Sequence, residues 1–255
     1  MTEYISSRQN SLMTHLRKLQ TGGSYRRERG EYLCDGVKLL EEALKWQADI
    51  TCVVTASSLQ NALQIALPDT LRHVEIPGDI MQSVSPMQSP QGALFTCRLP
   101  DTALPETLTG SRYLVLDGVQ DPGNVGTIWR SADALGADGL ILVNACADPF
   151  GHKTVRSAMG ASFRLPVYEC TPEALRETLA ASKLPLYATA LRADTLSLRD
   201  LTEQRLCVVI GSEGKGVSQE VLALCTKTIK IPMEPQCESL NAATAAAVVL
   251  WELYR

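Results

Sequence analysis

Residues 117–142, "DGVQDPGNVGTIWRSADALGADGLIL", decide how the rest of the chain is read. An apolar run leads into them, glycines and a proline turn the chain, apolar spacing then repeats at helical intervals, and "GLIL" resumes an extended run. Strand, turn, helix and strand in that order are the unit of a parallel α/β sheet. The turn sits where phosphate-binding loops sit, yet it has neither G-x-G-x-x-G nor a Lys-Ser/Thr pair. Its candidate ligand-binding groups are Asn124 at the expected helix entry and Arg130 less than two turns further in. The helix start offers free N–H groups and a partial positive charge, and Arg130 adds a guanidinium fork. Two readings stay open here: an anion site, or a capping Asn124 with a solvated Arg130.

Outward from that stretch the same alternation continues. Toward the C-terminus come strands "RLPVYEC", "LPLYATAL", "RLCVVIG" and "TIKIPM", and Thr171-Pro172-Glu173 opens a helix between the first two. Near-continuous apolar strands such as "LCVVI" predict a parallel sheet covered on both faces. Toward the N-terminus, Leu12, Leu16 and Leu19 share a helix face that "TGG" ends. Strand "EYLCDG", helix "VKLLEEALKW", strand "ITCVVT", helix "SLQNALQIAL" and strands "HVEIP" and "GALFTCRL" follow. Residues 100–112, "PDTALPETLTGSR", carry no periodicity and read as a linker. The expected organisation is therefore a small α/β domain over 1–99, a linker over 100–112 and a second α/β domain over 113–255.

The 255 residues are 45% apolar and 20% charged, as in globular chains. No apolar run approaches the ~20 residues that span a bilayer, and "MTEYISSRQN" has no signal-peptide pattern, so a cytoplasmic protein without a membrane partner is expected. None of the eight cysteines falls in a C-x-x-C pair and the three histidines are not at ligand spacing, which predicts reduced thiols and no metal. The net charge is −4, but between Arg8 and Arg29 six basic residues (Arg8, Arg17, Lys18, Arg26, Arg27, Arg29) face only Glu28. That stripe reads either as a solvated helix face or as a footprint for phosphates.

Two further loops carry polar groups. In "VVIGSEGKGVSQEV", residues 208–221, a strand ends at Gly211 and a G-x-x-G-x-G loop follows, with Glu213 beside its glycines. The order of glycines is the reverse of the dinucleotide fingerprint, which argues against a dehydrogenase. In "IKIPMEPQCESLNAATAAAVVLWE", residues 229–252, a strand leads through Ile231 and Pro232 to Ser239-Leu240-Asn241 and an alanine-rich helix, with Ser239 as the expected cap.

Together and in this order the three loops resemble the SpoU (TrmH-type) branch of the SPOUT RNA methyltransferases. The first motif, N-x-G-x-x-x-R, matches Asn124, Gly126 and Arg130; the second, G-S-E-G-x-G, matches Gly211 to Gly216; the third matches Ile231 to Met233 and Ser239 to Asn241. "HKTVRSAMGASFRLPV" is similar as well, and "RRERGEYLCDGVKLLEEAL" and "SPQGALF" resemble the substrate-binding domain that precedes the catalytic one. One departure is visible: Ala243 stands where many relatives have a second serine. The resemblance implies a C-terminal α/β-knot domain with a deep trefoil knot, preceded by a small domain like ribosomal RNA-binding proteins. It implies a homodimer that uses S-adenosylmethionine (AdoMet) to methylate a ribose 2′-hydroxyl of RNA, with no DNA partner. The first target implied is a guanosine of large-subunit ribosomal RNA, the second transfer RNA; a catalytically silent RNA-binding protein is the rival. Gly211, Ile231, Ser239 and Leu240 would hold the cofactor. Arg130, Asn124, Glu213 and Asn241 would form the catalytic set, with Glu213 orienting Arg130 or the ribose. Arg8, Arg26, Arg27, Arg29, Lys153 and Arg156 would meet RNA.

Overall fold

The structure is a computed structural model that describes residues 2–57, 66–190, 195–234, 236 and 239–254. By contacts the chain separates into two compact units, one of residues 1–100 with 150–163 and one of residues 101–149 with 164–255.

The first unit runs β1 (Glu3–Tyr4), α1 (Ser11–Thr21), α2 (Gly23–Arg29), β2 (Glu31–Asp35), α3 (Val37–Lys45), β3 (Ile50–Ala56), β4 (His73–Ile76), α4 (Gly78–Val84) and β5 (Ala93–Arg98). Its sheet has the order β1-β4-β3-β5-β2, with β5 antiparallel to both of its neighbours. α1 begins where Asn10 accepts the Leu12 N–H at 2.8 Å, and it buries Leu12, Met13, Leu16 and Leu19. Those side chains pack with Val54, Val74, Ile76 and Leu94 of the sheet, each fully buried aliphatic contributing about 1.5–3 kcal/mol. The helix expected over "SLQNALQIAL" lies mostly outside the described residues, since 58–65 are not among them. β1, α2 and α4 are additions to the elements expected from the sequence.

The second unit runs β6 (Arg112–Asp117), α5 (Pro122–Ala134), β7 (Gly139–Val143), β8 (Val167–Cys170), α7 (Pro172–Ser182), β9 (Leu186–Thr189), β10 (Leu196–Ser197), β11 (Leu206–Gly211), α8 (Gln219–Leu222), β12 (Lys227–Lys230) and α9 (Ala242–Tyr254); α6 lies in the segment 150–163. All seven strands are parallel, in the order β10-β12-β9-β11-β6-β7-β8. β6, β7 and β11 are buried almost throughout, as their continuous apolar runs require. The chain leaves β6 toward β7 and β8, then returns to build β9 to β12 on the other side, so the order reverses between β6 and β11. Loops at the carboxyl ends of such neighbouring strands are where open α/β sheets bind ligands. α9 packs against α5, and its buried Ala243 and Ala246 permit close approach to that helix.

Residues 150–163 depart from the domain boundaries expected above. They carry α6 (His152–Ala158) and pack with the first unit, not the second. α6 lies against β2, the Phe150 ring sits 4.9 Å from that of Tyr32, and Phe163 is 6.5 Å from Phe95. The reason is apolar burial: Val155 and Ala158 of α6 are at most 1% exposed there.

Candidate functional site

Three loops of the second unit converge at the carboxyl ends of its strands. α5 starts with Asp121 as its cap, accepting the Asn124 N–H at 2.8 Å, and Pro122 takes the first helical position. Asn124 therefore does not cap the helix, which leaves its side chain available. Its Nδ2 donates to Glu213 Oε1, and its Oδ1 accepts from Asn241 Nδ2 at 3.1 Å. Asn241 in turn caps α9, its Oδ1 accepting the N–H groups of Ala243 at 2.9 Å and Thr244 at 3.3 Å. α9 thus begins at Ala242, and the cap is Asn241 where Ser239 was expected. One polarised chain runs from the start of α9 through Asn241 and Asn124 to the Glu213 carboxylate, and bonds in such a chain strengthen one another.

Arg130 stands apart from this trio. It is exposed and makes no hydrogen bond or ion pair among the described residues. Six residues along an α-helix turn the side-chain direction by roughly 120° relative to Asn124, so the expected Glu213–Arg130 pair does not form. Glu213 is engaged by Asn124 instead.

The loop that carries Glu213 is closed on itself. Ser212 and Gly216 exchange N–H···O bonds of 3.0 and 2.9 Å, and Gly216 has φ +66°. A Cβ at Gly211 would lie 2.1 Å from the Gly216 carbonyl carbon and 2.2 Å from the Val217 nitrogen. The returning loop backbone by itself requires glycine there. Beneath the loop, the buried Asp117 at the end of β6 accepts the Ser218 N–H at 2.6 Å and Asn144 Nδ2 at 2.6 Å. Because Asp117 also pairs in register with Gly211, it holds both feet of the Glu213 loop. The sequence reading passed over Asp117; its signal was an acid closing an otherwise apolar strand, "YLVLD".

Beside the trio lies a cavity of about 280 Å³, walled by the ends of β9, β11 and β12 and the approach to α9. All four residues expected to hold a cofactor, Gly211, Ile231, Ser239 and Leu240, line it, and Glu213 does too; Asn124, Arg130 and Asn241 do not. Thr189 and Ala190, at the end of β9, complete a wall that the sequence reading missed. Among the described residues no group of three or more His, Cys, Asp or Glu is placed to hold a metal ion, and no helix is long and apolar enough to cross a membrane. No disulfide joins the seven described cysteines to one another, and burial pushes the thiols of Cys170 and Cys207 up to about 12. Cys237 lies outside the described residues.

The basic residues of the first unit are held one by one. Arg8 pairs with Asp79 at 2.7 Å, and Arg29 lies over the Tyr25 ring at 5.3 Å. Arg27 and Lys153 are exposed, as is Arg156, which donates to Met87 Sδ at 2.7 Å. Arg26 departs from the expected RNA-facing set: it is 5% exposed, and its guanidinium donates to the Leu19 and Gln20 carbonyls at the end of α1. It closes a helix terminus, where a cation is favourable.

The SpoU rRNA Methylase family model matches residues 111–251, and the MRM3-like substrate binding domain matches residues 10–94. The chain is 30% identical over 249 residues, 98% of each chain, to the 23S rRNA (guanosine(2553)-2′-O)-methyltransferase RlmP of Bacillus subtilis. It is 30% identical to the 23S rRNA (uridine(2479)-2′-O)-methyltransferase of Streptomyces viridochromogenes, over 84% of this chain and 72% of that one. The AdoMet-bound rRNA methyltransferase from Sinorhizobium meliloti superposes with a TM-score of 0.85 at 27% identity, covering 99% of this chain and 97% of that one. With three motif loops gathered on one parallel sheet and a family match across more than half its length, the chain belongs to the SpoU rRNA methylase family.

Proposed function

We propose that this protein transfers a methyl group from AdoMet to a ribose 2′-hydroxyl of RNA, at a guanosine of large-subunit ribosomal RNA. The observation that carries this reading is the cavity at the strand ends with the Glu213–Asn124–Asn241 chain beside it. A volume of about 280 Å³ lies near the lower end of small-molecule sites, and the lining mixes apolar Ile231 and Leu240 with the open backbone of Gly211. The Glu213 carboxylate on its wall complements a sulfonium cation. These features fit AdoMet, and Gly211, Ile231, Ser239 and Leu240 are the residues that would hold it. Bound there, AdoMet supplies a methyl group already activated by positive sulfur.

The protein's own task is then alignment and charge. Asn124 and Asn241 fix the Glu213 carboxylate so that it meets the ribose in one orientation. Arg130, which has no hydrogen-bond or ion-pair partner among the described residues, takes the substrate phosphate and stabilises negative charge growing on the 2′-oxygen. Arg130 acts as a phosphate clamp and charge stabiliser, and the 2′-hydroxyl proton passes to a separate acceptor.

The remaining parts of the reading have separate support. Guanosine is favoured because the Bacillus subtilis guanosine enzyme matches over nearly the whole of both chains, more fully than the uridine enzyme does. The two family matches, ending at 94 and beginning at 111, bracket the linker and support a substrate-binding domain followed by a methyltransferase domain. A deep trefoil knot in the methyltransferase domain is supported by the family match over residues 111–251. A homodimer is supported by α9, whose Val248 and Trp251 leave an apolar face 37% and 60% exposed. Arg8, Arg27, Arg29, Lys153 and Arg156 meet the RNA, in the cytoplasm, where free thiols persist.

The test is transfer of labelled methyl from AdoMet to ribosomal and transfer RNA lacking modification, followed by nucleoside analysis. 2′-O-methylguanosine in the large-subunit RNA is the expected result. Label in another nucleoside or in transfer RNA would overturn the target, and failure to bind AdoMet at all would leave a silent RNA-binding protein.

A further inference from the structure

In the first unit α1, α2 and β2 bring together five side chains for which the methyl-transfer site has no use. His15 of α1 bonds through Nδ1 to Tyr25 Oη at 2.9 Å and through Nε2 to Glu31 Oε2 at 2.9 Å. The His15 and Glu31 side chains are each only 21% exposed, so Glu31, His15 and Tyr25 form a fixed chain in which β2 anchors the imidazole and the imidazole anchors the phenol. The Tyr25 ring packs by one part on the α1 core and stays half-buried. Two cations lie over it: Lys18 Nζ at 5.4 Å from the ring centre and the Arg29 guanidinium at 5.3 Å. Lys18 makes no ion pair among the described residues, and the acid nearest Arg29 is Glu28, 4.0 Å away with both side chains more than half exposed. A half-buried aromatic ring, oriented from behind by His15 and crowned by two cations, is a preorganised arrangement.

We propose that Tyr25, Lys18 and Arg29 form a binding site for one unpaired nucleotide of RNA, with the base on the tyrosine ring and the flanking phosphates on the two cations. The inference rests on the reading of the first unit as RNA-binding and goes beyond it by naming the form of RNA. A base presents its face only where it is unstacked, and stacking on an aromatic ring with phosphates on Lys and Arg is the mode by which single strands are held. Phosphates draw Lys18 and Arg29 off the ring, and the base takes the space they leave. The His15 bond sets the ring plane through the hydroxyl, so the hydroxyl serves orientation and the ring serves binding. Such a site tolerates any base, which separates it from the choice of target nucleotide in the second unit.

The experiment uses the full-length protein and a single-stranded RNA of about 12 nucleotides containing 5-bromouridine, cross-linked by ultraviolet light and mapped by mass spectrometry. The cross-link is expected on the peptide carrying Tyr25. Tyr25→Ala is expected to weaken single-strand binding by at least about fivefold, and Tyr25→Phe to stay within about twofold of the unchanged protein. Lys18→Ala and Arg29→Ala each lower the salt slope of binding by about one. The same sequence as a duplex binds without discriminating Tyr25 from Ala. A cross-link confined to other peptides, with Tyr25→Ala altering only the melting temperature, would make Tyr25 a structural clamp and sink the proposal while RNA binding stands. Absence of any RNA binding by the unchanged protein would remove the reading beneath it as well. Should the Ala variant fail to fold, the cross-link on the unchanged protein decides.

Discussion

The candidate residues of the two units are secured in opposite ways. In the second unit Glu213, Asn124 and Asn241 hold one another, and Asp117 holds the loop on which Glu213 rides. In the first unit Arg8, Arg26 and Arg29 each answer to a separate neighbour: a carboxylate, two carbonyls and an aromatic ring. The difference teaches what each arrangement is good for. A shared network fixes geometry within tenths of an ångström and fails as a whole. Independent basic residues add up, tolerate loss one at a time and suit a polyanion whose charges repeat.

The comparison breaks most visibly at the one catalytic candidate that belongs to no network. Arg130→Ala is expected to cut the methyl-transfer rate by about 100-fold or more while leaving AdoMet affinity nearly unchanged, measured by single-turnover kinetics and calorimetry. A large loss of cofactor affinity would place Arg130 among the binding residues. Next in size is Gly211→Ala. The added methyl meets loop backbone, so the protein should lose about 1–3 kcal/mol in denaturant unfolding and bind AdoMet less well. Unchanged stability would mean that the Ser212–Gly216 closure is slack.

Arg26 and Arg27 sharpen the contrast within the first unit. Arg26→Ala strips two α1 carbonyls of a charged donor and should cost about 1.5–3 kcal/mol with little change in the salt slope of RNA binding. Arg27→Ala should do the reverse, lowering the slope by about one with a negligible stability cost. Equal effects from the two would return Arg26 to the RNA-facing set. Smallest is Asn241→Ala, which removes the α9 cap for about 1 kcal/mol. Combined with Asn124→Ala in a double-mutant cycle, it should show a coupling of at least about 0.5 kcal/mol; strict additivity would dissolve the network.

Most strands were legible because burial on both faces writes itself as an unbroken apolar run, as in "LCVVI" and "GLILV". The three loops were legible because glycine, asparagine and proline mark places where the backbone turns. What escaped was choice among equivalent groups. Asp121 and Asn124 are both good caps three residues apart, and only the proline at 122 gave the decision to Asp121. Ser239 and Asn241 posed the same ambiguity, settled by where α9 finds its packing on α5. Arg26 looked like its neighbours because composition records charge and not depth. Asp117 escaped because its partners, Asn144 and the Ser218 amide, lie 27 and 101 residues away along the chain. Local pattern does not encode such distances.

The placement of residues 150–163 bears on how this protein can be inherited and rebuilt. A gene cut after residue 100 yields two unfinished pieces: one strips Tyr32 and Phe95 of the rings of Phe150 and Phe163, and the other carries an α6 with its apolar side bare. A recombination that exchanges the first hundred residues for those of a relative must therefore bring the distant fourteen-residue segment with them. The exchangeable module is discontinuous in sequence, and the two halves of the chain are bound to change together.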